Sequence, residues 1–173
     1  MSVKPFLIHI LPETALNKEL LEADPTTTAV IICSDENNSY KELLPNSLVC
    51  SFSDTTDRNR INSITAEQAR EIISFVRDFT TDIQDLYIVC SAGQSRSPAV
   101  AAAILRMSGR SDKPVWDNPH YVPNWFVYQT ICRESGLFAP DWYVRFLRNK
   151  NRLKFRIAQK KGSTGYECWS ILE

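Results

Sequence analysis

Cys90 and Arg96 stand six positions apart in the segment CSAGQSRSP, and this is the pair whose residue types and spacing are best suited to catalysis. A thiolate is a strong nucleophile, and a planar guanidinium binds two oxygens of one phosphate group. Ser97 follows directly, and its hydroxyl group is expected to stabilise the sulfur when the sulfur later leaves. The three side chains predict attack by Cys90 on a bound phosphate group, with charge stabilised by Arg96 and backbone amides rather than by a metal or cofactor.

The turn that contains these residues is predicted to bind an anion. A buried strand, LYIVC, leads into the turn, and Pro98 suits the first turn of the helix that follows. Successive N–H groups of such a turn point inward, and the helix dipole adds positive potential that favours the thiolate of Cys90. Gly93 is expected to let the backbone bend close to the ligand. The predicted phosphate-binding residues are Ser91, Ala92, Gly93, Gln94, Ser95 and Arg96.

The Cys-x5-Arg spacing, followed by Ser97, resembles the signature of the protein tyrosine phosphatase superfamily, and in particular its small dual-specificity-like branch. A second stretch, PNWFVYQ from Pro123 to Gln129, is similar to the segment that follows the signature helix in dual-specificity phosphatases. The resemblance covers roughly residues 45–150. It implies that Asn124 supports the signature loop. Val89 departs from the family, which usually has a histidine immediately before the nucleophile.

The resemblance also implies a general acid, because the leaving oxygen of a phosphate ester needs a proton. The family takes it from an aspartate that follows an earlier strand. Here the strand SLVCSF runs into Ser53 and Asp54, so Asp54 is the preferred acid. Asp57 lies in the same loop and stays an alternative. Either aspartate has the competing interpretation that it only caps a turn.

The implied activity is hydrolysis of phosphate monoesters through a thiophosphate intermediate on Cys90. The expected partner is a phosphorylated protein or a small phosphate ester, with phosphotyrosine as the main substrate and phosphoserine or phosphothreonine as further ones. Trp116 and Trp125 are expected to flank the rim of the site. The signature loop has no lysine, which disfavours highly charged inositol phosphates and phosphoinositides as substrates. A phosphate-recognition module with little turnover is the alternative function, and Val89 is the feature that favours it.

Four apolar runs are predicted to form strands, and helical patterns alternate with them. This order predicts an α/β domain with a mostly parallel sheet of four to five strands flanked by helices, as in phosphotyrosine phosphatases. Thr65 and Gln68 form the capping-box pattern at the start of the clearest helix. The predicted strands are Phe6–Leu11, Ala29–Cys33, Ser47–Phe52 and Leu86–Cys90, and the predicted helices are 65–79, Pro98–Met107, 123–135 and 139–150.

Length and composition bound these expectations. The 173 residues predict a single domain over 1–173, which the resemblance implies is phosphatase-like, with 151–173 a basic C-terminal extension of uncertain structure. Lys plus Arg and Asp plus Glu both number 20, which argues against a nucleic-acid partner, although residues 141–173 carry a net charge of +5. No apolar run reaches the length of a membrane span. Five widely spaced cysteines predict neither disulfides nor a zinc site, so a cytoplasmic setting is expected and the oligomeric state stays open.

Overall fold

A computed structural model describes residues 6–35, 45–79, 83–161 and 169–171 of the chain. The central sheet has five strands in the order β3-β2-β4-β1-β5. The first four of these are parallel, and β5 pairs antiparallel with β1. Within the described residues, no helix is long and apolar enough to cross a membrane. The strands are β1 (Leu7–Pro12), β2 (Thr28–Ser34), β3 (Ser47–Ser51), β4 (Asp85–Cys90) and β5 (Trp169–Ile171).

Helices follow most strands and cover the sheet. The predicted α/β class with a mostly parallel sheet is confirmed, and the four predicted strands agree with β1 to β4 within two residues at each end. The described helices are α1 (Glu13–Glu22), α2 (Ala66–Arg77), α3 (Arg96–Met107), α4 (Lys113–Asp117), α5 (Trp125–Glu134) and α6 (Asp141–Lys160).

The largest differences from the expected helices concern α6, α1 and α4. Helix α6 does not end near residue 150 but continues to Lys160, so the first ten residues of the expected C-terminal extension are helical. No glycine or proline interrupts residues 141–160, and this stretch is rich in strong helix formers. Helices α1 and α4 were not predicted. The sequence also predicts a turn at Gly162–Gly165, which lies outside the described residues.

The local signals at α2 and α3 explain where these helices begin. Thr65 caps α2, with its side chain accepting from the Gln68 N–H and the Gln68 side chain accepting from the Thr65 N–H, so the predicted capping box is confirmed. Helix α3 starts at Arg96, and Pro98 lies in its first turn, where a missing N–H costs no hydrogen bond. From Arg96 to Leu105 every residue of α3 is buried. The helix that begins at the predicted phosphate site is therefore held on all sides.

The alternation of side chains along β4 separates the sheet into two apolar faces. Val89 packs with Leu11, Val30 and Ile32 on one face. Cys90, one position later, joins the larger cluster on the other face, which contains α2, α3 and α5. The strand thus delivers Cys90 to the side of the sheet on which α3 begins.

Candidate active site

Cys90 is the last residue of β4 and is almost fully buried. Its Sγ lies 3.1 Å from the Oγ of Ser97, which is in the first turn of α3. A hydroxyl at this distance is suited to donate a hydrogen bond to a thiolate. The structure thus brings together the predicted nucleophile and the predicted stabilising hydroxyl.

Arg96 is also buried, with a relative exposure of 4%, and its guanidinium is fixed by three partners. Nη1 donates to the carbonyl oxygen of Phe52 at 2.9 Å, and Nη2 donates to the Oγ of Ser91 at 2.9 Å. The carboxylate of Asp35 lies 3.1 Å from Nη1. The arginine therefore spans the ends of β2 and β3 and the signature turn, and does not point into solvent.

Gly93 gives the turn its shape, because it adopts a left-handed conformation with φ of +66°. A Cβ at this position would lie 2.8 Å from the backbone nitrogen of Pro12 and 2.9 Å from the carbonyl carbon of Leu11. The space that Gly93 leaves free is thus occupied by the end of β1. This contact with β1 is a second reason for glycine at position 93, beside the expected close approach of the backbone to the ligand.

The segment before α5 fixes the outward-facing carbonyls of the turn. Val122 donates its N–H to the carbonyl of Gln94 at 2.8 Å, and Asn124 donates its N–H to the carbonyl of Ser95 at 3.1 Å. In a planar trans peptide the C=O and the following N–H point in opposite directions. The amides of Ser95 and Arg96 are therefore turned away from this segment.

Most amides of the turn have no backbone partner. Gly93 donates to the carbonyl of Cys90 at 3.2 Å. Across the described residues, the other four amides of the turn donate to no backbone carbonyl. A set of adjacent N–H groups without backbone acceptors, at the start of a helix, is what an anion-binding turn requires. These four amides belong to Ser91, Ala92, Gln94 and Ser95.

The two candidate acids differ in their contacts. The Oδ1 of Asp54 accepts from the Oγ of Ser95 at 2.8 Å and from the Nδ2 of Asn124 at 2.7 Å. The Oδ1 of Asp57 instead accepts from the backbone of Asn59 at 3.0 Å, which is a local turn cap. Asp54 is exposed and touches the signature turn, whereas no described contact joins the Asp57 side chain to it.

Asn124 connects the turn, α5 and the loop of residues 52–65 that carries both candidate acids, which we call the acid loop. Its Oδ1 caps α5 by accepting from the backbone of Phe126 and Val127 at 3.0 and 3.3 Å. Its Nδ2 donates to Asp54 and, at 3.0 Å, to the carbonyl of Thr55. The residue is buried, so a single side chain holds the position of Asp54 relative to α5.

Arg58 attaches the rest of the acid loop to the helices. Its Nη2 donates to the Oε1 of Gln129 at 2.9 Å and lies 3.3 Å from the carboxylate of Asp141. The guanidinium also lies over the Trp125 ring, 5.6 Å from the ring centroid. Hydrogen bonding from Gln129, with Arg58 and Arg133 nearby, lowers the pKa of Asp141.

Three other cysteines are core residues. Cys33 is in register with Cys50 on one side and with Cys90 on the other. Burial raises the pKa of Cys33 well above its usual value, raises that of Cys50 to about 12 and raises that of Cys132 to about 11. These thiols stay neutral and inert at neutral pH. Cys168 lies outside the described residues.

One expectation about the rim is wrong, and two contacts of Arg96 were not foreseen. Trp116 does not flank the site but is buried, with its ring edge-on to Tyr128. Trp125 is half-buried beneath Arg58. Asp35 and the carbonyl of Phe52 were missed as partners of Arg96. Asp35 follows a fully buried strand, and that placement at the carboxyl edge of a parallel sheet is a signal that could have identified it.

The comparisons with known proteins give matches among solved structures and none among family models or curated proteins. No protein-family model matches the chain, and no curated protein matches it significantly. The crystal structure of PTPMT1 in complex with PI(5)P is 18% identical, with a TM-score of 0.42, over 86% of this chain and 90% of that chain. The crystal structure of PTPMT1 is 17% identical, with a TM-score of 0.41, over 88% and 94%. That of Tk-PTP in the active form is 17% identical, with a TM-score of 0.43, over 86% and 90%.

Proposed function

We propose that this chain is a cysteine-dependent phosphatase of the protein tyrosine phosphatase superfamily. The observation that carries the proposal is the arrangement around the turn between β4 and α3. One short loop brings together the sulfur of Cys90, the buried guanidinium of Arg96 and four amides without backbone acceptors. This arrangement suits a phosphate group and a nucleophile beneath it.

In the proposed first step, the phosphate monoester binds the turn amides and Arg96. The sulfur of Cys90 attacks phosphorus, so that an S–P bond forms while the P–O bond to the leaving group breaks. Asp54 gives its proton to the departing oxygen. The contacts of Asp54 with Ser95 and Asn124 support this role, since they hold the carboxyl group beside the turn.

In the second step, a water molecule attacks phosphorus and the S–P bond breaks, releasing inorganic phosphate. Asp54, now ionised, takes the proton of that water. The sulfur leaves as a thiolate, and the Ser97 hydroxyl 3.1 Å away stabilises it. Amides and Arg96 stabilise the charge of the transferring phosphoryl group, so the proposed mechanism requires no metal.

The finer assignments follow the resemblance to dual-specificity phosphatases. We assign phosphotyrosine in proteins as the main substrate, with phosphoserine and phosphothreonine as further ones. The chain is proposed to act as a single phosphatase-like domain in the cytoplasm. Its buried free thiols, Cys33, Cys50, Cys90 and Cys132, suit a reducing compartment.

The test is hydrolysis of para-nitrophenyl phosphate by the wild type and by Cys90→Ser. We expect Cys90→Ser to lower kcat at least about a thousandfold, because the nucleophile is lost. Cys33→Ser is the matched control, because it makes the same substitution at a cysteine of the neighbouring strand β2. It should keep kcat within about threefold of the wild type. Equal turnover by Cys90→Ser and the wild type would contradict the proposal.

The choice of acid has its own test. Asp54→Asn should lower kcat about a hundredfold or more for phenyl phosphate, whose leaving group needs a proton, and less for para-nitrophenyl phosphate. Asp57→Asn should have little effect on either substrate. The reverse pattern would make Asp57 the acid.

A panel of phosphotyrosine, phosphoserine and phosphothreonine peptides, compared by kcat/KM, tests the substrate assignment.

A phosphate-recognition module with little turnover is the second candidate, and Val89 favours it. Val89 is fully buried among apolar side chains, so its side chain offers no polar contact to support the turn. This candidate requires that the wild type bind phosphotyrosine peptide in a calorimeter while hydrolysing neither the peptide nor para-nitrophenyl phosphate. Turnover that disappears in Cys90→Ser excludes it.

A further inference from the structure

Helix α6 exposes a second apolar surface on the side opposite its packed face. Val144, Asn151 and Ala158 are its buried residues, and they point toward the domain. At 100° per residue, four large apolar side chains fall within about 60° of one another on the other side. These are Trp142, Phe146, Leu153 and Ile157, with relative exposures of 69%, 61%, 61% and 46%. We call this stripe and the cations beside it the outer face of α6.

The charges beside the stripe all have one sign. Residues 142–161 contain eight Lys and Arg residues and no Asp or Glu. Arg145, Arg152 and Arg156 are exposed and follow one edge of the stripe. Lys150 and Lys154 lie on the other side, where both pair with Asp117 at 2.8 and 2.9 Å. Among the described residues, no acidic group forms an ion pair with the three arginines of the first edge.

The cations also act on one another. Partial burial lowers the pKa of Arg148, and the nearby charges of Arg152 and Arg145 lower it further. Like charges three, four and seven positions apart on one helix repel, so this helix carries an unfavourable charge pattern that an anionic partner would relieve. A second copy of the same face is a poor partner, because it would bring further cations against these.

We propose that the outer face of α6 binds an anionic membrane surface. Trp, Phe, Leu and Ile side chains in a stripe bordered by arginines are the composition of a helix that lies in the interface of a bilayer. The stripe extends over about 22 Å along the helix axis. Because the opposite face is packed on the domain, the helix is already formed, and binding carries no cost for folding it.

The first experiment is flotation of the full chain with vesicles of phosphatidylcholine alone and with about 30% phosphatidylserine. The wild type should float with the anionic vesicles and not with the neutral ones. Raising KCl from about 0.1 M to about 0.5 M should release most of the protein, because the attraction is screened. Equal binding to neutral and anionic vesicles, or none to either, overturns the proposal.

A charge variant and a matched control identify the surface. Arg145→Glu/Arg152→Glu should weaken partition onto anionic vesicles about tenfold or more. Arg77→Glu/Lys113→Glu changes the net charge by the same amount at exposed positions elsewhere and should bind nearly as the wild type does. Equal loss in both variants means that only net charge matters and contradicts a specific face. Circular dichroism confirms that each variant is folded.

Trp142 supplies a readout of insertion. Its fluorescence should shift to shorter wavelength on anionic vesicles, and this shift should disappear in Trp142→Phe while flotation persists. Phe146→Ser/Leu153→Ser, which removes apolar area at exposed positions, should lose flotation about tenfold. An unshifted spectrum with bound vesicles contradicts insertion of the stripe.

Two outcomes would assign the face to another partner. Binding to polyglutamate without binding to vesicles would replace the membrane by an acidic protein. A dimer in light scattering that Phe146→Ser/Leu153→Ser dissociates, again without vesicle binding, would replace it by a second copy of the chain. These assays contain no phosphate ester turnover, so their result is independent of the test of the proposed phosphatase activity.

Discussion

Three cysteines lie in one row across the carboxyl edge of the sheet, and their surroundings differ sharply. Cys50, Cys33 and Cys90 occupy matching positions on β3, β2 and β4. Burial raises the pKa of the first two thiols. Cys90 instead meets the Ser97 hydroxyl and the start of α3. Position in a strand therefore does not distinguish the proposed nucleophile from a core residue; the turn that follows the strand does.

The turns after these strands explain the difference. After β4 the chain turns within five residues into a buried helix, which brings amides and a dipole to the sulfur. After β3 it continues as the loop that carries Asp54 and reaches α2 only at Ala66. The same residue type is thus an inert core thiol at Cys50 and the proposed nucleophile at Cys90.

Alkylation sharpens this comparison most strongly. Iodoacetate is an anion, which the amides of the turn are proposed to bind, and it should modify Cys90 at pH 7 at least about a thousandfold faster than Cys33, Cys50 or Cys132. Inorganic phosphate should slow the reaction at Cys90 only. The sites are identified by peptide mass spectrometry, and urea-unfolded protein is the control in which all four react. Comparable modification of native Cys50 would remove the distinction.

Substitution of Gly93 should disrupt the turn that follows Cys90 and leave the surroundings of Cys33 and Cys50 unchanged. Gly93→Ala places a Cβ against the backbone of β1 at a positive φ, so we expect a loss of about 3 kcal/mol in the free energy of unfolding and about a hundredfold in kcat. Gly136→Ala is the control, since its φ is +80° and nothing lies within 4 Å of the added Cβ. It should cost about 1 kcal/mol and leave kcat unchanged. Similar unfolding curves for the two variants would contradict this expectation, because they would show that the backbone of β1 moves away from the added Cβ at little cost in free energy.

Unfolding at alkaline pH tests the buried, inert thiols of the row, of which Cys50 is the example. The Cys50 thiol has a pKa of about 12 in the native protein, whereas the same thiol has a pKa of about 8.5 in the unfolded chain. The free energy of unfolding therefore falls as pH rises through this window, by about 1.4 kcal/mol per pH unit for each such thiol. In Cys50→Ala the fall between pH 8 and 10 should be smaller by about 2 kcal/mol, measured by urea unfolding. Val76→Ala, a core truncation without a thiol, should keep the wild-type slope.

Ser97→Ala gives the smallest expected effect on the comparison. It removes the hydroxyl group that distinguishes the surroundings of Cys90 from those of Cys33. We expect kcat to fall about tenfold, with hydrolysis of the thiophosphate intermediate becoming the slow step. Rapid-quench measurement should then show a burst of para-nitrophenol that the wild type lacks. A tenfold loss without a burst would assign Ser97 to the first step.

Much of the fold was accessible from sequence because its signals are local. The strands β2 and β4 are continuous apolar runs, and α2 begins with a capping box that two side chains form between themselves. Helix α6 was harder, since charged residues on its flanks and an outer apolar stripe obscure a single buried face. Helix α4, with five residues, is too short for a periodic pattern.

The site shows the limits of local signals more clearly. The spacing of Cys90 and Arg96 is visible in the chain, but two of the partners that fix Arg96, Asp35 and the carbonyl of Phe52, follow the distant strands β2 and β3. The steric demand on Gly93 comes from Leu11 and Pro12, about eighty residues away. Sequence favoured Asp54 over Asp57 by order alone. Only the path of the loop shows that Asp54 meets Asn124 and that Asp57 caps its own turn.

The pairing of β5 with β1 has a consequence for biosynthesis. Of the described strands, β1 is the first to be synthesised, and its outer edge is paired with residues 169–171, the last described part of the chain. Until those residues have left the ribosome, the outer backbone groups of β1 lack this partner, and an uncovered strand edge is a template for pairing with other chains. A nascent chain arrested before residue 169 should therefore need a chaperone more than a chain that includes β5 does.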